Sequence, residues 1–92
     1  MQREIAEELA LEVLAWLVGN DDLLPVFMGA TGAGAGDLKQ RAGEAEFLAS
    51  VLDFLLMDDA WVMAFCAASG HPCAAPMQAR AALPGGVDVS WT

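Results

Sequence analysis

One helical pattern, closed by the same glycine stop, occurs twice in this chain. Val13-Leu14-Ala15-Trp16-Leu17-Val18 falls on Val51-Leu52-Asp53-Phe54-Leu55-Leu56, an offset of 38 residues (51 − 13). At the same offset Asp21 meets Asp59, Phe27 meets Phe65, Ala30 meets Ala68, and Thr31-Gly32 meets Ser69-Gly70. The repeated positions are apolar ones at helical spacing and the residues that end a helix. No acid, base or ligand set repeats with them. A unit this short cannot bury its apolar face alone, so two copies must bury their faces against each other. The expected fold is all-α: a small bundle of five to six helices built from two copies of a three-helix unit, related by a pseudo-two-fold axis. The units span residues 8–42 and 46–80. Together they form one domain over residues 1–84, and residues 85–92 are a tail.

Helix starts and stops can be read along the chain. Ile5, Leu9, Val13, Trp16 and Leu17 recur at three and four, which predicts a helix from Arg3 to Val18. Gly19 is expected to end it in the left-handed conformation, with Asn20 or Asp21 capping the next helix, Asp22 to Ala30. Pro25 is tolerable there because a first-turn amide has no partner to lose. Gly32 ends that helix, and Ala33 to Gly36 reads as a loop. Asp37 then caps a short helix through Ala42. In the second copy Glu44 to Met57 forms the long helix. Met57 stands where the first copy has Gly19, so the chain is expected to run on almost unbroken. Asp58 and Asp59 place carboxylates at the start of the following helix, where the helix dipole favours them. Gly70 stops it, and Pro72 and Pro76 head a last helix reaching Leu83. Pro84 to Thr92 is rich in turn residues and holds a single Trp91. Only Val87-Asp88-Val89 alternates with period two.

The expected core is Leu9, Val13, Trp16, Leu17, Phe27, Phe47, Val51, Leu52, Leu55, Val62 and Phe65. Hydrophobic residues make up 57% of the chain. That leaves Leu23, Leu24, Val26, Met28, Leu48, Leu56, Met57, Trp61 and Met63 beyond what a two-unit core needs. Helices that are apolar on most sides must be covered by something. Met57, Trp61 and Met63 therefore form a candidate interaction surface, because Met and Trp favour protein interfaces. Either a partner covers it, with a homodimer as the simplest closed form, or the tail folds back and Trp91 does.

Charge excludes some partners. Thirteen carboxylates face four cations, Arg3, Lys39, Arg41 and Arg80, for a net charge of −9. Such a surface repels phosphate backbones and anionic lipid heads. The expectation is therefore no nucleic acid and no membrane. The stretch from Phe47 to Ala68 is cut by Asp53, Asp58 and Asp59, and the uncharged run after it contains Gly70, Pro72 and Pro76, so neither reads as a membrane span. Glu4, Glu8 and Glu12 form an acidic stripe at spacing four. It reads as a solvated face or as a docking edge for a basic partner. The start of the chain, with Glu4, Glu7 and Glu8, does not resemble a leader, and two cysteines make no disulfide framework. A reducing, cytoplasmic setting is expected.

The groups that could carry chemistry are few. Gly29 to Gly36 is glycine-rich, but Lys39 follows Leu38 and precedes Gln40, so the phosphate-loop pattern is not met. Helix stops explain the glycines. A glycine hairpin that turns amides toward phosphate is the nucleic-acid alternative. Cys66, His71 and Cys73 lie close in sequence and would be the alternative metal or cysteine site, although zinc needs a further ligand. One histidine without an orienting third group makes a weak nucleophile relay. No cofactor and no enzymatic activity are expected.

Phe27 to Gly32, Asp37-Leu38, Arg41-Ala42, Phe47-Leu48, Val51 to Leu56, Asp58-Asp59, Phe65 and Gly70 resemble a small alphaproteobacterial family of uncharacterised helical proteins, a domain of unknown function. The resemblance covers about residues 8 to 84, and its most specific part is Val51-Leu52-Asp53-Phe54-Leu55-Leu56. Gly34-Ala35-Gly36 and His71-Pro72-Cys73 depart from it. It implies a bacterial, cytoplasmic setting and carries over no catalytic residue. The function expected from the residues is a non-enzymatic helical protein-interaction module, an adaptor or a regulator.

Overall fold

The computed structural model describes residues 1–32 and 34–83. The expectations for Ala33 and for Pro84 to Thr92, Trp91 included, lie outside the described residues. Among the described residues six helices follow one another: α1 (Arg3–Val18), α2 (Leu24–Thr31), α3 (Ala35–Arg41), α4 (Ala45–Leu56), α5 (Asp59–Ser69) and α6 (Ala75–Ala81). The described residues contain no strand. The fold is all-α.

The helix ends have local causes. Gly32 and Gly70 take φ of 73° and 81°, the left-handed conformation that a side chain resists, and each donates its amide back to a carbonyl one turn earlier, of Met28 and Cys66. Gly19 departs from expectation. Its φ is −82°, and α1 closes by hydrogen bonds from the Gly19 amide to the Ala15 carbonyl and from the Asn20 amide to the Leu17 carbonyl. Asn20 makes the turn that follows, its Oδ1 accepting from the amides of Asp22 and Leu23 at 3.1 and 3.2 Å. That turn delays α2 to Leu24, two residues later than expected, with Pro25 still in its first turn. Asp37 does not precede α3 but lies inside its first turn. There its Oδ2 accepts from the Gly34 amide at 3.3 Å, so the helix begins within the expected loop. Between α4 and α5 the chain breaks fully rather than running on. Asp58 is extended, with φ −141° and ψ 118°, and its Oδ1 accepts from the Ala60 amide at 2.8 Å. An aspartate in that position caps a new helix and cannot continue the old one.

Helix α4 lies at the centre. Phe47, Leu48, Ala49, Val51, Leu52, Phe54 and Leu55 are all buried, more than one stripe of its surface. It packs against α1, α6 and α5. That is why Leu48, expected among the surplus, belongs to the core. Helix α1 buries its expected Leu9, Val13 and Leu17 and adds Ala6, Ala10 and Leu14, while Ile5 is 49% exposed. Two alanines bring α1 close to its neighbours, and the buried face takes them in. Of the expected core, only Trp16 is less than fully buried; it packs against the core from its rim.

Four aromatic rings form two cross-linked pairs. Phe27 meets Phe54 edge to face, with ring centres 5.2 Å apart and planes at 72°. Phe65 meets Trp16 edge to face at 5.8 Å and 73°. Adding the 38-residue offset to Phe27 gives Phe65, and removing it from Phe54 gives Trp16. Each pair therefore joins one half of the chain to the other, at corresponding places. The third helices differ. Helix α6 packs against both α1 and α4 and buries Ala75, Pro76 and Ala79. Helix α3 touches the other helices sparsely, with Leu38 its buried anchor.

Candidate functional site

Eight large apolar side chains are exposed among the described residues, and three of them are methionines near one end of α5. Met57, Met63 and Met77 are 74%, 63% and 67% exposed. Helix α5 turns Val62, Phe65 and Cys66 inward. Met63, one residue past Val62, therefore faces out. Helix α6 turns Ala75 and Ala79 inward, which puts Met77 outside. Met63 and Met77 then border an open groove of about 380 Å³ with Leu56, Asp59, Val62 and Cys73 along it. Its floor is the side of the core itself, since Val62 is buried and Leu56 packs against the core.

The other expected members of the surface have different places. Trp61 is half-buried, its ring stacked on Phe54 with centres 4.7 Å apart and planes at 21°. It belongs to the edge of the core. Leu23, Leu24, Met28 and Leu56 likewise pack against the core, and Val26 is exposed. Met77 was not among the expected surface residues. Its signal was present: it lies two residues after Ala75 and two before Ala79, on the opposite side of a short helix. Met57 lines a second, neighbouring hollow with Thr31, Arg41, Ser50, Asp53 and Phe54.

The acidic stripe is exposed along α1 at Glu4, Glu8 and Glu12. Glu12 has a partner: its Oε1 lies 3.0 Å from His71 Nε2. The His71 ring also lies parallel to that of Phe65, 6.0 Å away at 16°. These contacts fix the loop between α5 and α6 against α1.

Of Cys66, His71 and Cys73, the two cysteines lie side by side, while His71 is engaged with Glu12. The Cys66 thiol donates to the Pro72 carbonyl at 3.4 Å. Burial, with the Cys73 thiol alongside, pushes the Cys66 thiol above its ordinary range. A thiol so placed stays protonated and is a poor nucleophile. Both cysteines are free, Cys66 buried and Cys73 exposed. Among the described residues no three His, Cys, Asp or Glu side chains are grouped so as to hold a metal ion. Among them too, no helix is long and apolar enough to cross a membrane.

Cations are largely engaged with carboxylates. Arg3 pairs with Glu7 at 3.3 Å, Arg41 with Glu44 at 3.9 Å, and Arg80 with Asp53. Arg41 also lies over the Phe47 ring, 4.6 Å from its centre. The negative field of the chain is therefore neutralised only in part.

The chain belongs to the family described as Protein of unknown function (DUF3572), which it matches over residues 3–86. No curated protein and no solved structure matches it.

Proposed function

We propose that this protein is a non-enzymatic helical protein-interaction module, an adaptor or regulator, that docks a partner on the groove between α5 and α6. The observation that carries this reading is the solvent-facing Met63 and Met77 on either side of an apolar groove, beside a core already filled by other side chains. Unbranched methionines adapt to varied partner surfaces. Two of the side chains able to do chemistry are engaged with their own fold, His71 with Glu12 and Cys66 with Pro72. The acidic composition and the resemblance to alphaproteobacterial proteins support a bacterial, cytoplasmic setting. The matched stops at Gly32 and Gly70, and the matched aromatic pairs, support an internal repeat of units 8–42 and 46–80.

The test is affinity capture from native cells followed by mass spectrometry, with wild-type protein and the Met63→Ser/Met77→Ser variant side by side. A protein retained by the wild type and lost by the variant supports the module. Identical profiles from the two baits overturn it.

A further inference from the structure

The groove has a charge as well as a shape. Along α5 and α6 the charged side chains are Asp59 and Arg80, and Arg80 is directed to Asp53 with little of its side chain exposed. Asp59 lines the groove itself. Asp58 precedes it and caps α5. Leu56, also on the groove, ends α4, whose last turn contains no basic residue. The carbonyl end of α4 and the amide end of α5 meet there and offset each other, so the carboxylates set the sign of the charge. The whole chain, at −9, deepens that field.

We infer that the occupant of this groove is an amphipathic helix with a basic face, which rests on the interaction-module reading above. The apolar side of such a helix lies on Met63, Val62 and Met77, the groove-binding mode that pairs an apolar stripe with a hydrophobic channel. Its lysines or arginines flank that stripe and meet Asp59 and the neighbouring Asp58. A second copy of this chain is disfavoured as occupant, because it brings the same negative charge and three of its four cations are paired with carboxylates. An acidic helix is disfavoured for the same reason.

The probe is a pair of fluorescein-labelled peptides of about 14 residues, roughly four turns, with one leucine stripe and either lysines or glutamates elsewhere. Fluorescence anisotropy with the full chain reads the affinity. The lysine peptide is expected to bind at least about tenfold more tightly than the glutamate peptide at low salt, with the difference shrinking at about 1 M salt, where screening acts within ~3 Å. Met63→Ser and Met77→Ser are each expected to weaken the lysine peptide about fivefold or more, as loss of an interface anchor does. Asp59→Lys is expected to narrow the gap between the peptides. Circular dichroism confirms that the variants fold, since all three side chains are on the surface.

Equal binding of the two peptides through the methionines overturns the basic partner and leaves the interaction module standing. Lysine-peptide binding that the double methionine variant does not change places the contact elsewhere on the acidic surface and overturns the groove assignment. Binding of neither peptide overturns the inference as well. Sedimentation that shows a dimer lost on Met63→Ser makes the occupant a second copy and overturns it too.

Discussion

The pairs Phe27–Phe54 and Phe65–Trp16 stand at positions related by the 38-residue offset, yet their surroundings differ. Phe54 is buried, and the Trp61 ring covers its outer side. Phe27 also meets Phe47 edge to face at 6.1 Å. The first pair therefore sits inside a cluster of four rings. Trp16 stays at the rim, and on the other side of Phe65 lies His71, which reaches back to Glu12. The third helices differ as well. Helix α6 packs against α1 and α4 and buries the small side chains of Ala75 and Ala79, whereas α3 carries the charged Asp37, Lys39 and Arg41. Two halves that share stops and aromatic anchors can thus pack unequally when one helix carries alanine and the other carries charge. The open groove lies in the second half, beside the helix that packs more closely.

The largest expected effect tests what the halves share. Phe27→Ala and Phe65→Ala each remove a fully buried ring. Each should cost about 3–5 kcal/mol, a large part of a small domain's stability, and leave most of the protein unfolded. Urea denaturation followed by circular dichroism measures both. A loss under about 1 kcal/mol at either site removes that phenylalanine from the core and breaks the correspondence.

The next effect tests what the halves do not share. Ala79→Leu places added carbon in the closely packed seam of α6 and should cost about 1–3 kcal/mol. Lys39→Ala on α3, at an exposed position, should stay within about 0.5 kcal/mol. Similar costs at the two sites would mean that α6 is held no more firmly than α3.

A third effect lies in the backbone. Around Gly32 and Gly70 an added Cβ meets nothing within 4 Å, so Gly→Ala there tests the left-handed conformation alone. Each substitution should cost about 1–2 kcal/mol. The two costs should agree within the error of the measurement, because φ is nearly the same at both. Unequal costs would show that the stop is strained differently in each half.

Much of the fold was legible in the sequence for physical reasons that these residues illustrate. Apolar spacing at three and four marked α1 and α4, and glycine marked the ends of α2 and α5, because both signals act locally. Leu48 was misplaced, and the burial of Ala6 and Ala10 in place of Ile5 was not foreseen, because the choice of buried face depends on neighbours. Helix α4 is surrounded on more sides than one stripe can serve. The break at Asp58 was missed because a capping aspartate competes with helix continuation, and Met57 alone does not reveal which prevails. Of the candidate surface, Met57 and Met63 were legible as excess apolar residues. Trp61 was not, since its stacking on Phe54 is a contact between two helices. Met77 required knowing that α6 buries its alanines.

The smallest effect is the sharpest measure of the comparison, because it isolates the ring contacts from the burial that surrounds them. A double-mutant cycle with Phe65→Leu and Trp16→Leu gives the coupling between those rings, and Phe27→Leu with Phe54→Leu gives the other. Edge-to-face pairs contribute about 0.5–1.5 kcal/mol beyond area burial. The interplanar angles, 73° and 72°, are alike, and the centres are 0.6 Å closer in the Phe27–Phe54 pair (5.8 − 5.2). Both couplings should fall within that range, with Phe27–Phe54 the larger, since its rings are closer and better shielded from water. Leucine keeps most of the volume at each site, so cavity collapse contributes less than alanine would allow. Trp61 rests on Phe54, so Phe54→Leu also disturbs the stacking, but that loss is common to the single and double variants and cancels in the cycle. Coupling near zero at Trp16–Phe65 alone would mean that the rim position of Trp16 wets the contact, and the two pairs would then match in position but not in energy.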